Sequence, residues 1–179
     1  MKPHRASCAL EVLAVALCAA APGWAADACG GFTWNVAQEQ TLFAGAPQAG
    51  TAGATADAAP TLANQTLYDL ALPEQEKVHF AAAPGKRALS DGAYGGIVRF
   101  RVPADGAYRI SLDQPFWVDV VADGKLVPSK DFQGRPGCSA PHKIVEFVLP
   151  ANRELLLQFS NAVSPHVRVT VTASTPAKT

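Results

Sequence analysis

Trp117 and Asp119 are residues whose types and spacing could bind a ligand. Phe116, Val118 and Val120 alternate with them and predict a strand that turns its apolar face toward a core. Trp117 and Asp119 then share the outer face. There an indole ring can pack against a sugar ring while a carboxylate binds its hydroxyl groups. The alternative interpretation is that Trp117 is buried beneath a loop.

The segment 130–143 combines charged residues, two glycines, two prolines and Cys138, and it is the most unusual stretch of the chain. Its composition predicts a loop, and loops held on a rigid scaffold are frequent ligand-binding sites. A disulfide at Cys138 would hold the loop in one shape and lower the ordering cost of binding. The alternative is a long connection that only crosses between two sheets. The predicted ligand-binding residues of both stretches are Trp117, Asp119, Lys130, Asp131, Arg135 and His142.

Three histidines beyond residue 25, together with Glu146, are the candidate metal ligands, because imidazole and carboxylate groups bind zinc and ferrous iron. These histidines are His79, His142 and His166. They lie on separate segments without motif spacing, and the separation of His142 and Glu146 spans ~13 Å on a strand. A Gly-x-Ser-x-Gly motif is also absent. We therefore predict no catalytic residue, metal or cofactor, and a metal-dependent enzyme remains the alternative.

Alternating apolar and polar residues predict the elements that position these side chains. Side chains on a strand point to opposite faces in turn, so a half-buried strand shows apolar residues at every second position. The predicted strands are residues 67–72, 77–80, 98–102, 108–112, 116–121, 144–149, 155–159 and 167–171. Turn signals recur every ~8–12 residues between the later strands, which favours an all-β antiparallel sandwich. Asp123-Gly124 predicts a two-residue type I′ hairpin, since both turn positions need positive φ.

Residues 1–25 have the pattern of a secretory signal peptide. Lys2 and Arg5 form a basic start, residues 8–21 are mostly apolar, and small residues precede a cleavage position after Ala25. The apolar stretch is shorter than the ~20 residues of a membrane span, and no later segment is long and apolar enough either, so no integral membrane segment is predicted in the mature chain. The alternative is a buried N-terminal helix. The signal predicts export and a periplasmic location.

The mature chain, residues 26–179, is close to electrically neutral. Loss of the three charged residues of the signal leaves 13 basic and 14 acidic side chains, so a nucleic-acid partner is not predicted. Two cysteines remain, Cys29 and Cys138, and an even pair in an oxidising compartment favours a disulfide. It would close a ring of about 110 residues, worth ~4–5 kcal/mol in the chain-entropy model. The alternative is a pair of free thiols, for example as metal ligands.

The mature chain divides into three regions, which we expect to form one domain. They are an N-terminal segment with an Ala/Gly-rich loop (26–60), the β-sandwich domain (61–174) and a disordered tail (175–179). Alternation predicts a strand at 32–36, and one or two helical turns follow at 37–43. Residues 44–60 lack large apolar side chains and have little surface to bury, which predicts a flexible surface loop.

The stretch 95–171 resembles the bacterial pre-peptidase C-terminal type of β-sandwich. The residues that carry the resemblance are 97–102, 106–112, 117–123, 150–160 and 167–171. The resemblance implies a jelly-roll-like accessory domain of a secreted protein. Such domains usually follow a catalytic domain, we expect none in this chain, and no functional residue is transferred from them.

The mature chain as a whole is similar to a group of small periplasmic proteobacterial proteins, through residues 28–34, 113–117 and 129–138. Such sequences sometimes carry the label homogentisate 1,2-dioxygenase. Those dioxygenases are far longer cytoplasmic enzymes that hold iron with two histidines and a glutamate in a cupin barrel. The export signal and the scattered histidines of this chain differ from that pattern.

These observations together predict an exported, periplasmic, non-catalytic binding or accessory protein. Its partner would be a carbohydrate, an envelope component or another periplasmic protein. The alternative is a metal-dependent enzyme, possibly of the homogentisate dioxygenase type, that uses His79, His142 and His166. A third hypothesis is a structural role in an envelope complex, for which an exposed apolar patch would be the sign.

Overall fold

The computed structural model describes residues 29–86 and 88–174, whose regular secondary structure is mostly β-strand. The predicted signal peptide (1–25) and tail (175–179) lie outside this part of the chain. Within it there are one α-helix, α1 (Ala37–Phe43), and one short 3-10 helix (Gln75–Lys77), and no helix is long and apolar enough to cross a membrane. The strands are β1 (Gln48–Thr51), β2 (Tyr68–Ala71), β3 (Tyr94–Phe100), β4 (Gly106–Leu112), β5 (Trp117–Ala122), β6 (Lys125–Val127), β7 (Ser129–Gly134), β8 (Lys143–Leu149), β9 (Leu155–Ala162) and β10 (His166–Ala173).

The strands pair into two sheets, so the prediction of an all-β fold is confirmed. Sheet A has six strands in the order β1-β2-β10-β4-β8-β7, and sheet B has four in the order β3-β9-β5-β6. Neighbouring strands run antiparallel, except that β1 and β2 are parallel. Several neighbours are distant along the chain, such as β4 with β8 and β3 with β9, so long-range pairing holds each sheet together.

One apolar core lies between the two sheets. Ile110 and Leu112 of β4 reach it from sheet A, and Leu157 and Phe159 of β9 reach it from sheet B. Burial of such a side chain contributes roughly 1.5–3 kcal/mol, which makes this core the main stabilising feature of the fold. The alternation predicted for the six strands between residues 98 and 171 is confirmed, because the apolar set of each one lies in this core.

The hairpin between β5 and β6 also forms as predicted. Asp123 and Gly124 have φ values of 50° and 72°, and Ala122 lies opposite Lys125 across the turn. Positive φ at both positions gives the turn a twist that matches the flanking strands. The chain therefore reverses within two residues and ends sheet B in a short edge strand.

The N-terminal segment, residues 29–44, crosses the outer face of sheet A and is tied there by the disulfide between Cys29 and Cys138. Helix α1 forms where helical turns were predicted. The strand predicted at 32–36 is wrong, since these residues join no sheet. Their alternation reflects side chains that pack down onto sheet A: the guanidinium of Arg109 lies 4.6 Å from the ring centroid of Trp34.

The prediction of a flexible loop at 44–60 is wrong, because β1 lies inside this segment and pairs with β2. Gly53 exchanges two backbone hydrogen bonds of 2.9 Å with Ile97 of β3. A Cβ atom at Gly96 would lie 2.6 Å from the Cβ atom of Ala52. Small residues thus allow a close approach of two backbones, and the segment is ordered by hydrogen bonds instead of large apolar side chains.

The strand predicted at 77–80 is also wrong. A 3-10 helix (Gln75–Lys77) ends at the first residue of this range, residues 78–80 join no strand, and Val78 packs on Ile97 at the outer face of sheet B. The prediction of a loop at 130–143 is wrong for residues 130–134, which belong to β7 and pair with β8. β7 is an edge strand, and exposed charges are common on edge strands because they discourage pairing with other chains. Those charges made the segment resemble a loop.

Candidate functional site

A cleft of about 190 Å³ opens where β5 of sheet B lies near β7 and β8 of sheet A. The residues that line it are Trp117, Val118, Ser129, Phe132, Lys143 and Val145. Pockets for drug-sized ligands are larger, roughly 300–1,000 Å³. This cleft therefore fits a group about the size of a single ring.

Trp117 is held in one orientation at the start of β5. Its indole Nε1 donates a hydrogen bond of 3.0 Å to Oδ1 of Asp119, and the other carboxylate oxygen of Asp119 accepts one of 3.0 Å from the backbone N–H of Gly85. Asp119 is buried, whereas 37% of Trp117 remains exposed. The two residues share the outer face as predicted. The Asp119 carboxylate accepts the hydrogen bond of the indole, so the ring is held in place before any ligand binds.

Phe132 provides a second exposed aromatic ring on edge strand β7. It pairs directly with Val145 of β8, and paired residues project from the same face of a sheet. Val145 belongs to the core, so Phe132 projects from the core-facing side of sheet A. Sheet B ends at the three-residue strand β6. Phe132 consequently stays 66% exposed.

Lys143, the first residue of β8, brings a cation into the cleft. Its Nζ donates a hydrogen bond of 2.8 Å to the carbonyl of Phe116 and lies 5.5 Å from the ring centroid of Trp117. Desolvation lowers the pKa of Lys143, and the positive charge of Lys86 lowers it further, while Asp119 opposes the shift. A desolvated ammonium in a cleft is a frequent mark of a functional site.

The structure places the remaining predicted site residues away from this lining. Lys130 Nζ donates a hydrogen bond of 2.9 Å to Glu146, and the Asp131 carboxylate accepts one of 2.8 Å from the next backbone N–H. Arg135 lies 5.3 Å from the ring of Phe32 in the N-terminal segment. The Nδ1 atom of His142 is 3.0 Å from the carbonyl oxygen of Cys138. Lys130 and Arg135 thus interact with residues of the protein itself.

A buried ionic cluster beneath the N-terminal segment was not foreseen. The guanidinium of Arg109 lies 3.4 Å from Glu146 and 3.6 Å from Glu39, and all three side chains are almost fully buried. Arg109 also donates a hydrogen bond of 2.8 Å to the carbonyl of Asn35, and the Thr172 hydroxyl donates one of 2.9 Å to Glu39. The cluster therefore fastens the segment to sheet A.

Burial and hydrogen bonding shift the pKa of Glu146 in opposite directions. Burial raises its pKa, but hydrogen bonds donated by Lys130, Ser174 and Arg109, together with the charge of Lys130, hold the pKa below its usual range. The shift indicates that Glu146 is ionised in the folded protein near neutral pH. The cluster therefore stabilises the fold as an ionic network.

The three candidate metal-ligating histidines do not converge. His166 pairs with Asp69 at 3.1 Å, His142 lies beside Cys138, and His79 is exposed on another segment. Across residues 29–86 and 88–174, no group of three or more histidine, cysteine, aspartate or glutamate side chains is arranged to hold a metal ion.

Two lining residues, Phe132 and Lys143, were absent from the predicted site although both stand in the 130–143 segment. The signal for Phe132 was a large apolar residue among charges, which is unusual for a loop. Nothing in the sequence pairs Lys143 with Trp117, because the contact joins two different sheets.

No protein-family model matches this chain, and no curated protein matches it. The cleft and the buried cluster are therefore the observations that bear on function.

Proposed function

We propose that this protein is an exported, non-catalytic binding protein whose ligand is a carbohydrate held in the cleft beside Trp117. The observation that carries the proposal is the indole ring, which Asp119 holds in place and which shares a ring-sized cleft with the exposed ring of Phe132. Aromatic faces pack well against the apolar faces of sugar rings, and nearby polar groups bind the hydroxyls. Ser129 and Lys143 supply such groups.

The chemistry of the lining favours binding over catalysis. Glycoside hydrolysis generally uses a pair of carboxylates across the scissile bond. Among the lining residues in the described part of the chain, Lys143 is the one titratable side chain, and the nearby carboxylate of Asp119 is engaged by Trp117 and Gly85.

The proposal includes export to the periplasm and a jelly-roll arrangement of the kind suggested by the pre-peptidase C-terminal resemblance. The disulfide supports an oxidising compartment, where such bonds persist. The strand order supports the jelly roll, because β2 to β5 alternate between the two sheets, as β8 to β10 do.

Intrinsic fluorescence tests the proposal directly, because the protein without residues 1–25 has two tryptophans, Trp34 and Trp117. Titration with neutral and acidic methyl glycosides should change the emission of Trp117. Trp117→Ala removes the fluorescent reporter, so its binding is measured by isothermal titration calorimetry beside the wild type. It should bind roughly 30-fold more weakly, as expected for an aromatic anchor worth ~2 kcal/mol. Val148→Ala, which shortens an exposed side chain outside the cleft, is the matched control.

A folded protein that binds none of the glycosides would refute the carbohydrate proposal. Metal content provides an independent check on the non-catalytic role. Stoichiometric zinc or iron in protein prepared without chelator or histidine tag, lost in His142→Ala, would favour the metal-dependent enzyme instead.

A further inference from the structure

The ammonium of Lys143 is only partly satisfied by the protein. It has three N–H donors, and in the described ranges one of them is engaged, with the carbonyl of Phe116 at 2.8 Å. None of the salt bridges formed by the described residues includes it. Two donors therefore have no partner among the described residues, and the side chain that carries them is only partly exposed to solvent.

The surroundings of Lys143 increase the positive potential of the cleft. Lys86 is close enough for its charge to oppose that of Lys143. Asp119 is the nearest counter-charge, but Trp117 and Gly85 donate hydrogen bonds to its two oxygens. A partly buried charge without a direct ion pair costs free energy, and an anionic ligand would recover part of that cost.

Lys143 also has a structural role, since its hydrogen bond to Phe116 links the start of β8 in sheet A to the start of β5 in sheet B. That role needs a single donor and no net charge. It does not explain why an ammonium stands beside the face of Trp117 at 5.5 Å in an open cleft.

We propose that the bound sugar carries a carboxylate, as a uronic acid does, and that Lys143 binds this carboxylate while Trp117 packs against the ring. This inference rests on the carbohydrate-binding role proposed above. The cleft has room for one ring, so a group that differs from a neutral sugar only at one exocyclic carbon fits it. Lys86, which is exposed at the same side, increases the rate of encounter with the anion.

The experiment compares sugars that differ in this one group. Methyl glucoside is paired with methyl glucuronide, and methyl galactoside with methyl galacturonide, and binding to the wild-type protein is followed by Trp117 fluorescence. The acidic member of at least one pair should bind about 10- to 100-fold more tightly, as expected for a hydrogen-bonded charge. The pKa of Lys143 is lowered, so its charge should be lost as the pH rises through a lower value than the one at which exposed lysines titrate. The preference for the acidic sugar should be lost over the same pH range. Lys86 and Asp119 are the charged groups that act on Lys143.

Two variants separate binding from folding. Lys143→Met should abolish the preference for the acidic sugar and leave neutral sugars bound, whereas Lys86→Gln should reduce the preference only modestly and mainly at low salt. If Lys143→Met does not fold, the wild-type comparison and its pH dependence still decide. Equal affinity for acidic and neutral members overturns the carboxylate inference and leaves carbohydrate binding intact. Absence of binding to every sugar overturns both.

Discussion

Removal of the disulfide between Cys29 and Cys138 should lower the free energy of unfolding by about 4–5 kcal/mol. The two residues are 109 positions apart. In the chain-entropy model, the loss is about 2.1 cal/mol/K plus 1.5R times the logarithm of the ring size, which gives ~4.8 kcal/mol at 25 °C for a ring of this length. Such a loss is a large fraction of the stability of an ordinary domain, roughly 5–15 kcal/mol.

The full effect requires that the N-terminal segment unfold together with the sheets. The buried cluster supports this coupling, because Glu39 of α1 and the carbonyl of Asn35 both contact Arg109 of β4. If the segment detached on its own, the cross-link would constrain only a local opening, and its removal would cost little.

Urea unfolding followed by circular dichroism measures the effect in Cys29→Ser, Cys138→Ser and the double variant. All three should lose the same free energy of unfolding, because each removes the same cross-link. A change in the slope of the unfolding free energy against urea concentration would indicate a change in the unfolded state. Ser139→Ala, next to the bond in sequence, is the control. A loss below ~1 kcal/mol, or a double variant that loses the sum of the single ones, would show that the reasoning is wrong.

Three further predictions concern the buried cluster and the close approach of residues 52 and 96. Arg109→Met should lower the unfolding free energy in urea by ~3–5 kcal/mol, because it leaves Glu39 buried without a cation and Glu146 with Lys130 alone; a loss under 1 kcal/mol would contradict a stabilising network. The lowered pKa of Glu146 contributes stability above the usual pKa of a glutamate, and this contribution is lost as the pH falls through the lower folded value. The stability difference between wild type and Glu146→Gln should therefore shrink in acid, and a constant difference would count against it. Gly96→Ala should cost ~1–3 kcal/mol in thermal or urea unfolding, since its methyl group meets Ala52, and a neutral result would mean that residues 44–60 are not packed there.

Local patterns were reliable wherever the physical cause is local. The alternation in β4 and β9 follows from the pleat of a strand that buries one face, and the core contains those predicted side chains. The positive φ values of Asp123 and Gly124 follow from the turn chemistry of two adjacent residues. Nothing distant in the chain is needed to produce either feature.

Predictions were wrong where order comes from a distant partner. The Ala/Gly-rich residues 44–60 offered little side-chain surface, but β1 gains its order from backbone hydrogen bonds to β2 and from the close approach at Gly96. Arg109 and Glu146 stand between the apolar residues of the predicted strands 108–112 and 144–149, and they lie on the outer face of sheet A. The N-terminal segment covers them, and this burial depends on how the chain folds back.

For the candidate site, the sequence alone determined that Trp117 and Asp119 share one face of a strand, because strand periodicity is a property of the chain. It also determined that Cys29 and Cys138 form a disulfide, because they are the two cysteines beyond residue 25. Only the tertiary structure decided what Trp117 faces. Phe132 and Lys143 belong to the other sheet, and sheet B ends at β6, which leaves the cleft open. Contacts between sheets depend on strand order and on where each sheet ends, and these are settled by the packing of the whole chain.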